Sequence, residues 1–320
     1  MNPNEASAEQ RGFTRIAWAV LGYTLLVILW GAVVRITGSG AGCGQHWPTC
    51  HGEIIPTAAS VEKMIEFSHR VTSGLSMLAV FAMTWLAHAR FPEGHLVRRG
   101  AKLSTLFIII EAAIGAGLVL LELVAENASV YRGIWVAVHL ANTLVLMGVI
   151  ALTVWWSRDA RPLRFGGRGV VTAWLYGAVA LVVLTSMAGA ISALGHTLFP
   201  VDEAASHLER ITDDPWADTN YPMLVRLVHP ALSLGVVLYL WSMAADVSRR
   251  MDAPGVNRAA IWLSVAVGLQ TAGGILNIAM SAPGWMQVLH LAMANGVWLT
   301  LVWLAFEVAV LPTESAKESA

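Results

Sequence analysis

Charge is what this chain of 320 residues lacks: Asp, Glu, Lys and Arg make up 13% of it, against about 25% in a soluble domain. Neither sign is in surplus, the formal net charge being -1. With no basic excess to neutralise phosphates, nucleic acid is excluded as a partner. Scarce charge beside 56% hydrophobic residues also excludes a disordered chain, which needs the reverse balance. Cysteine is nearly missing, and two residues are too few for a thiol relay. Length alone would suggest about two soluble domains. A soluble protein with a mean hydropathy of +0.62, however, could not cover its own surface. A bilayer solvates apolar faces directly, so the composition specifies an all-α integral membrane protein that crosses it several times.

What is present is a series of long apolar runs. About 20 residues cross a hydrocarbon core of about 30 Å, and the sequence offers eight such runs: 16–36, 62–87, 103–122, 132–156, 170–194, 222–245, 259–280 and 285–310. The first is too long for a signal peptide and continues without a cleavage site into a Gly-rich segment, so it is read as a retained helix. Cations sort the loops. Arg90, Arg98, Arg99 and Lys102 lie between helices 2 and 3. Arg158, Arg161, Arg164 and Arg168 lie between 4 and 5, and Arg249, Arg250 and Arg258 between 6 and 7. The alternate loops are poor in cations, and the 5–6 loop is acidic, with Asp202, Glu203, Glu209, Asp213, Asp214 and Asp218. Both termini are therefore expected in the cytoplasm of a cell-membrane protein, with the 1–2, 3–4, 5–6 and 7–8 loops outside.

Cys43 and Cys50 fall in the external 1–2 loop, on the oxidising side, where a disulfide is the natural expectation. Closing so short a loop stabilises by about 2–3 kcal/mol on the chain-entropy view. A structural staple and a redox-active pair both remain open.

The chain also looks duplicated. A shift of 160 residues places His69 on His229, a shift of 159 places Gly115 on Gly274, and a shift of 151 places His139 on His290. Helices 1–4 and 5–8 are then two pseudo-symmetric four-helix bundles of like orientation, residues 1–157 and 158–320, related about the membrane normal.

Of ten histidines, six have loop explanations: His46, His51, His196 and His207 outside, His88 and His95 in the 2–3 turn. The other four, His69, His139, His229 and His290, occupy helices 2, 4, 6 and 8 at one depth, on the order of 10–12 Å below the outer ends. One polar residue in a membrane helix is readily an interhelical contact. Four in repeat-related pairs suit axial ligation of a planar macrocycle between facing helices, whereas zinc would want three or four ligands in one cluster. Glu66, three residues before His69 in EFSHR, shares its face. Such an acid is costly unless used or paired: it pairs with Arg70 or Arg35, or it accepts a proton beside whatever His69 holds. Arg226, in RLVHP, takes the equivalent place in the second half. That asymmetry suggests that one bundle does chemistry while the other holds a cofactor, with Arg226 pairing a haem propionate.

At these residues the sequence resembles the haem A synthase family, whose mitochondrial members share the eight-helix plan. The likeness rests on GAVVRITGSGAGC and HWPTCHG after helix 1, EFSHR opening helix 2, and the histidines of helices 4, 6 and 8. It spares only the termini. The family often has Asp where this chain has His46, and some bacterial members carry a second external cysteine pair that the 5–6 loop lacks. The resemblance implies oxidation of the C8 methyl of haem O to a formyl group by successive hydroxylations and a dehydration, giving haem A for haem-copper terminal oxidases. It implies that His69 and His139 bracket the substrate haem and that His229 and His290 ligate a haem b cofactor. Glu66 would then be the catalytic carboxylate and Cys43–Cys50 the loop disulfide. It also brings in a haem O synthase and the terminal oxidase as assembly partners, and an unidentified electron acceptor.

Three other readings compete. A di-haem b-type electron carrier would normally set its haems at two depths, whereas these histidines share one layer. A transporter would place charge deep in several helices, and most of these helices read as lacking it. A thiol-oxidising enzyme leaves the histidines without a role. Trp47, Trp135 and Trp285, near the outer ends, read first as interfacial anchors and second as walls of a haem pocket.

Overall fold

The computed structural model describes residues 3–57, 60–198 and 224–312. Among them are eight long helices: α1 Pro3–Ile36, α2 Val61–Arg90, α3 Leu96–Leu120, α4 Val130–Trp156, α5 Val170–Leu198, α6 Leu224–Met251, α7 Pro254–Ala279 and α8 Gly284–Val310. Each is long and apolar enough to cross a membrane. The chain is thus an all-α, multi-pass membrane protein. The acidic residues between α5 and α6, with His207, lie outside the described residues, as does the side chain of Arg226.

Local chemistry sets the ends. Ser60 caps α2 by accepting from the Lys63 N–H at 3.3 Å, and Ser129 caps α4 by accepting from the Arg132 N–H at 3.3 Å. Pro254 opens α7 at a position where its missing donor costs nothing. Gly38, at φ 67, turns the chain out of α1 into the loop. The helices outrun the apolar runs that announced them. α1 starts well before residue 16 because the preceding Glu, Ala and Gln residues favour helix in water as well as in lipid.

Helices α1 to α4 touch in sequence and α4 closes back on α1; α5 to α8 do likewise, with α8 against α5. The halves meet where α4 packs on α5 and α8 and where α1 packs on α8, and Trp298 Nε1 donates to the Leu144 carbonyl at 2.6 Å across that seam. Side chains such as Leu26, Trp85, Leu238 and Ile275 face outward, each more than 60% exposed, as lipid-facing residues do.

The packing differs between the two ends. Phe13, Met83, Met147, Ile150, Met243, Leu263 and Leu301 fill the end bearing the cation-rich loops. The first turns of α1 meet the α4–α5 linker there, through Gln10 to the Ser157 carbonyl at 2.7 Å. The end of α8 meets the same linker, where the Arg164 N–H donates to the Ala309 carbonyl at 2.9 Å. The opposite end is hollow.

Candidate functional site

That hollow end encloses one continuous cavity of about 1670 Å³ walled by all eight helices, larger than the roughly 300–1,000 Å³ of a pocket for one small ligand. His69, His139, His229 and His290 all line it. Each packs against a glycine of the helix before it. A Cβ at Gly31 would lie 3.0 Å from the His69 ring, at Gly115 3.9 Å from His139, at Gly189 2.8 Å from His229 and at Gly274 3.2 Å from His290. The rings of His229 and His290 stand perpendicular, 87° between their planes, with centroids 6.5 Å apart, a spacing of the order left by one metal ion bonded at about 2 Å to each imidazole. His229 Nδ1 sits 3.1 Å from the Thr185 carbonyl; donating there leaves Nε2 for a ligand.

The donor set fits a haem. Nδ1 of His69 and His290 is buried with no hydrogen-bond partner among the described residues, as are Asn277 Oδ1 and Asn295 Oδ1, and all four residues line the cavity. Buried polar atoms are nearly always bonded, so this group of orphans marks a place for a ligand carrying polar or metal character. Apolar walls with imidazole nitrogens on facing helices are what a metalloporphyrin requires.

Glu66 is 3% exposed and lines the same cavity. Of the two cations that could pair with it, Arg70 does: its guanidinium Nε donates to Glu66 Oε1 at 3.0 Å and its Nη2 makes a second, shorter bond to that oxygen. Oε2 accepts the Cys43 N–H at 2.7 Å. Arg70 reaches on to the His46 and Thr49 carbonyls, so acid and arginine together pin the loop closed by the Cys43–Cys50 disulfide. Arg35 turns away instead, donating to the Ala193 carbonyl at 2.7 Å, to Thr197 at 2.7 Å and to Gln287 at 3.0 Å. It ties α1 to α5 and α8.

Sequence reasoning missed a second acid. Glu111, on α3, stands 3.4 Å from His139 Nδ1 and accepts from Asn142 and Thr143. The signal is one carboxylate inside the apolar run LFIIIEAAIGAG, and the expectation of helices without deep charge passes over it.

A family profile described as COX15-CtaA, cytochrome oxidase assembly protein, matches residues 14–302. The chain belongs to this family. Over 289 residues it is 44% and 43% identical to proteins named protoheme IX farnesyltransferase from two strains of Thermus thermophilus. The match covers 90% of this chain and 47% of each Thermus protein, so the chain spans about half their length. It is 28% identical over 307 residues to a heme A synthase from Bacillus cereus, a match that covers 92% of this chain and 93% of that one.

Within this member of the COX15-CtaA family some expected positions shift. His196 is not in a loop: α5 runs on to Leu198, and His196 lines the cavity from its last turn. His88 is in the last turn of α2. Trp135 is not a free anchor, because its Nε1 donates to the Ile114 carbonyl at 2.8 Å and the ring lies over Gly117. Trp285 is 59% exposed, as an anchor would be, while Trp47 lines the cavity.

Proposed function

We propose that this protein is a haem A synthase: it oxidises the C8 methyl of haem O to a formyl group by two hydroxylations and a dehydration, supplying haem A to haem-copper terminal oxidases. The observation that carries this reading is the distribution of acids. Among the described residues, the two carboxylates that line the cavity, Glu66 and Glu111, belong to the first half, beside His69 and His139. The resemblance in sequence to heme A synthases over nearly the full length supports it.

In this account residues 1–157 and 158–320 are duplicated four-helix bundles with different tasks. His69 and His139 hold the iron of the substrate, haem O, and orient its ring so that one edge faces Glu66. Each hydroxylation breaks a C–H bond and forms a C–O bond to an oxygen from water, releasing two electrons toward the external acceptor and two protons, of which Glu66 accepts one and solvent the other. Arg70 and the Cys43 N–H fix the acid at that edge, so no reorganisation is needed when the proton arrives. His229 and His290 would hold a haem b cofactor, which when bound would supply one-electron chemistry toward an acceptor. The protein lies in the cell membrane with both termini cytoplasmic and the cavity toward the outer face, a placement supported by the cation-rich loops at the packed end. Haem O is made by farnesylation of protohaem, and the Thermus relatives named for that reaction are about half covered by this chain. This supports direct hand-over from a haem O synthase.

The test is conversion. Membranes holding the protein and haem O should accumulate haem A, and Glu66→Gln should stop at haem O or the hydroxylated stage while still binding haem. Full conversion by Glu66→Gln would overturn the role of the acid.

A further inference from the structure

The two halves differ at one more matched position. The shift of 159 residues that relates Gly115 to Gly274 also sets Glu111 on Gln270. Each touches the histidine of its own half: Glu111 Oε1 stands 3.4 Å from His139 Nδ1, and Gln270 Nε2 stands 3.0 Å from His290 Nε2. The surroundings have diverged to match. Asn142 and Thr143, one helical turn beyond His139, both donate to Glu111, and Asn142 is itself held by the Phe107 carbonyl at 3.0 Å. The positions three and four beyond His290 are Met293 and Ala294, whose side chains donate nothing. The donors thus accompany the carboxylate and are missing beside the amide.

We infer that Glu111 is a positioning residue that orients His139 and makes its imidazole a more electron-rich ligand than His290, whose neighbour is neutral Gln270. The inference rests on the proposed role of these histidines as iron ligands. An imidazole whose second nitrogen faces a carboxylate is fixed in orientation and gains basicity toward a metal on the first. A nearby negative charge also favours the more positive, oxidised iron. Iron held by His139 therefore stays oxidised at potentials where iron held by His290 is already reduced. Electrons taken from the substrate then run toward the second half.

The experiment uses the full-length purified protein, loaded with haem, as wild type and as Glu111→Gln, Gln270→Glu and His139→Ala. Haem per chain is measured by extraction, and midpoint potentials by optical redox titration. Glu111→Gln should shift the potential of the first-half haem upward and weaken its retention by about ten- to a hundredfold, the usual cost of losing such a partner. Gln270→Glu should shift the second-half haem downward. Unchanged potentials in both variants, with haem intact, would overturn the inference while leaving the ligand assignment standing. Full haem content in His139→Ala would overturn the ligand assignment, and the inference with it. Should Glu111→Gln fail to fold, Gln270→Glu still decides the matter, because it adds the charge in the other half.

Discussion

Gly189 lies against the ring of His229 so closely that a Cβ on it would sit 2.8 Å from the imidazole Cε1. The same relation, a glycine on one helix seating a histidine on the next, recurs at Gly31, Gly274 and Gly115 with progressively more room. Alanine substitution should grade accordingly. Gly189→Ala and Gly31→Ala displace their rings and should lose most of the haem bound by their own half. Gly274→Ala should lose part, and Gly115→Ala, at 3.9 Å, should bind as wild type. Haem extraction from the four purified variants checks the order.

Gly42 marks a second tight approach. A Cβ there would lie 2.7 Å from the backbone of Glu62 and Lys63, atoms that cannot move without shifting the start of α2. Gly42→Ala should lift the loop, break the Cys43 N–H bond to Glu66 and lower conversion of haem O while leaving the second-half haem in place. Visible spectra and product chromatography on one preparation separate these effects.

Arg70→Met leaves a buried carboxylate without its cation. Removing one member of such a pair typically costs about 3–5 kcal/mol, so the variant should melt well below wild type. Arg70→Met combined with Glu66→Gln should recover part of the loss, since no charge is then stranded. A thermal melt of the two variants in detergent gives the comparison.

The Cys43–Cys50 bond closes a short loop whose reduction should cost about 2–3 kcal/mol on the chain-entropy view. Cys43→Ser with Cys50→Ser should lower stability by that order. If the pair is only a staple, conversion per folded molecule should be preserved; loss of turnover in a stable double variant would identify a redox role instead.

The helices and the four histidines were legible in the sequence because hydropathy and spacing report directly on burial in lipid. Glu66 was legible as an unusual acid but its partner was not, since Arg35 and Arg70 both carry the charge to pair with it and only the loop geometry sends Arg35 to α5 and α8. Glu111 was visible as a letter and overlooked as a site. Its meaning comes from His139, Asn142 and Thr143 on another helix, and from Gln270 at the matched position. The glycines that seat the histidines were hidden for the same reason: a contact between neighbouring helices leaves no period in either one. Trp135 failed as an anchor because a tryptophan near a helix end reads alike whether it faces lipid or a neighbouring glycine.

The most direct test of the central claim is chromatography of the haems extracted from the purified protein, expressed in cells that also make haem O. Two different haems per chain, haem b together with haem O or haem A, are the predicted result, and His139→Ala should lose only the farnesylated one. Two haem b per chain, unchanged by the supply of haem O, would contradict the synthase account and leave a di-haem electron carrier in its place.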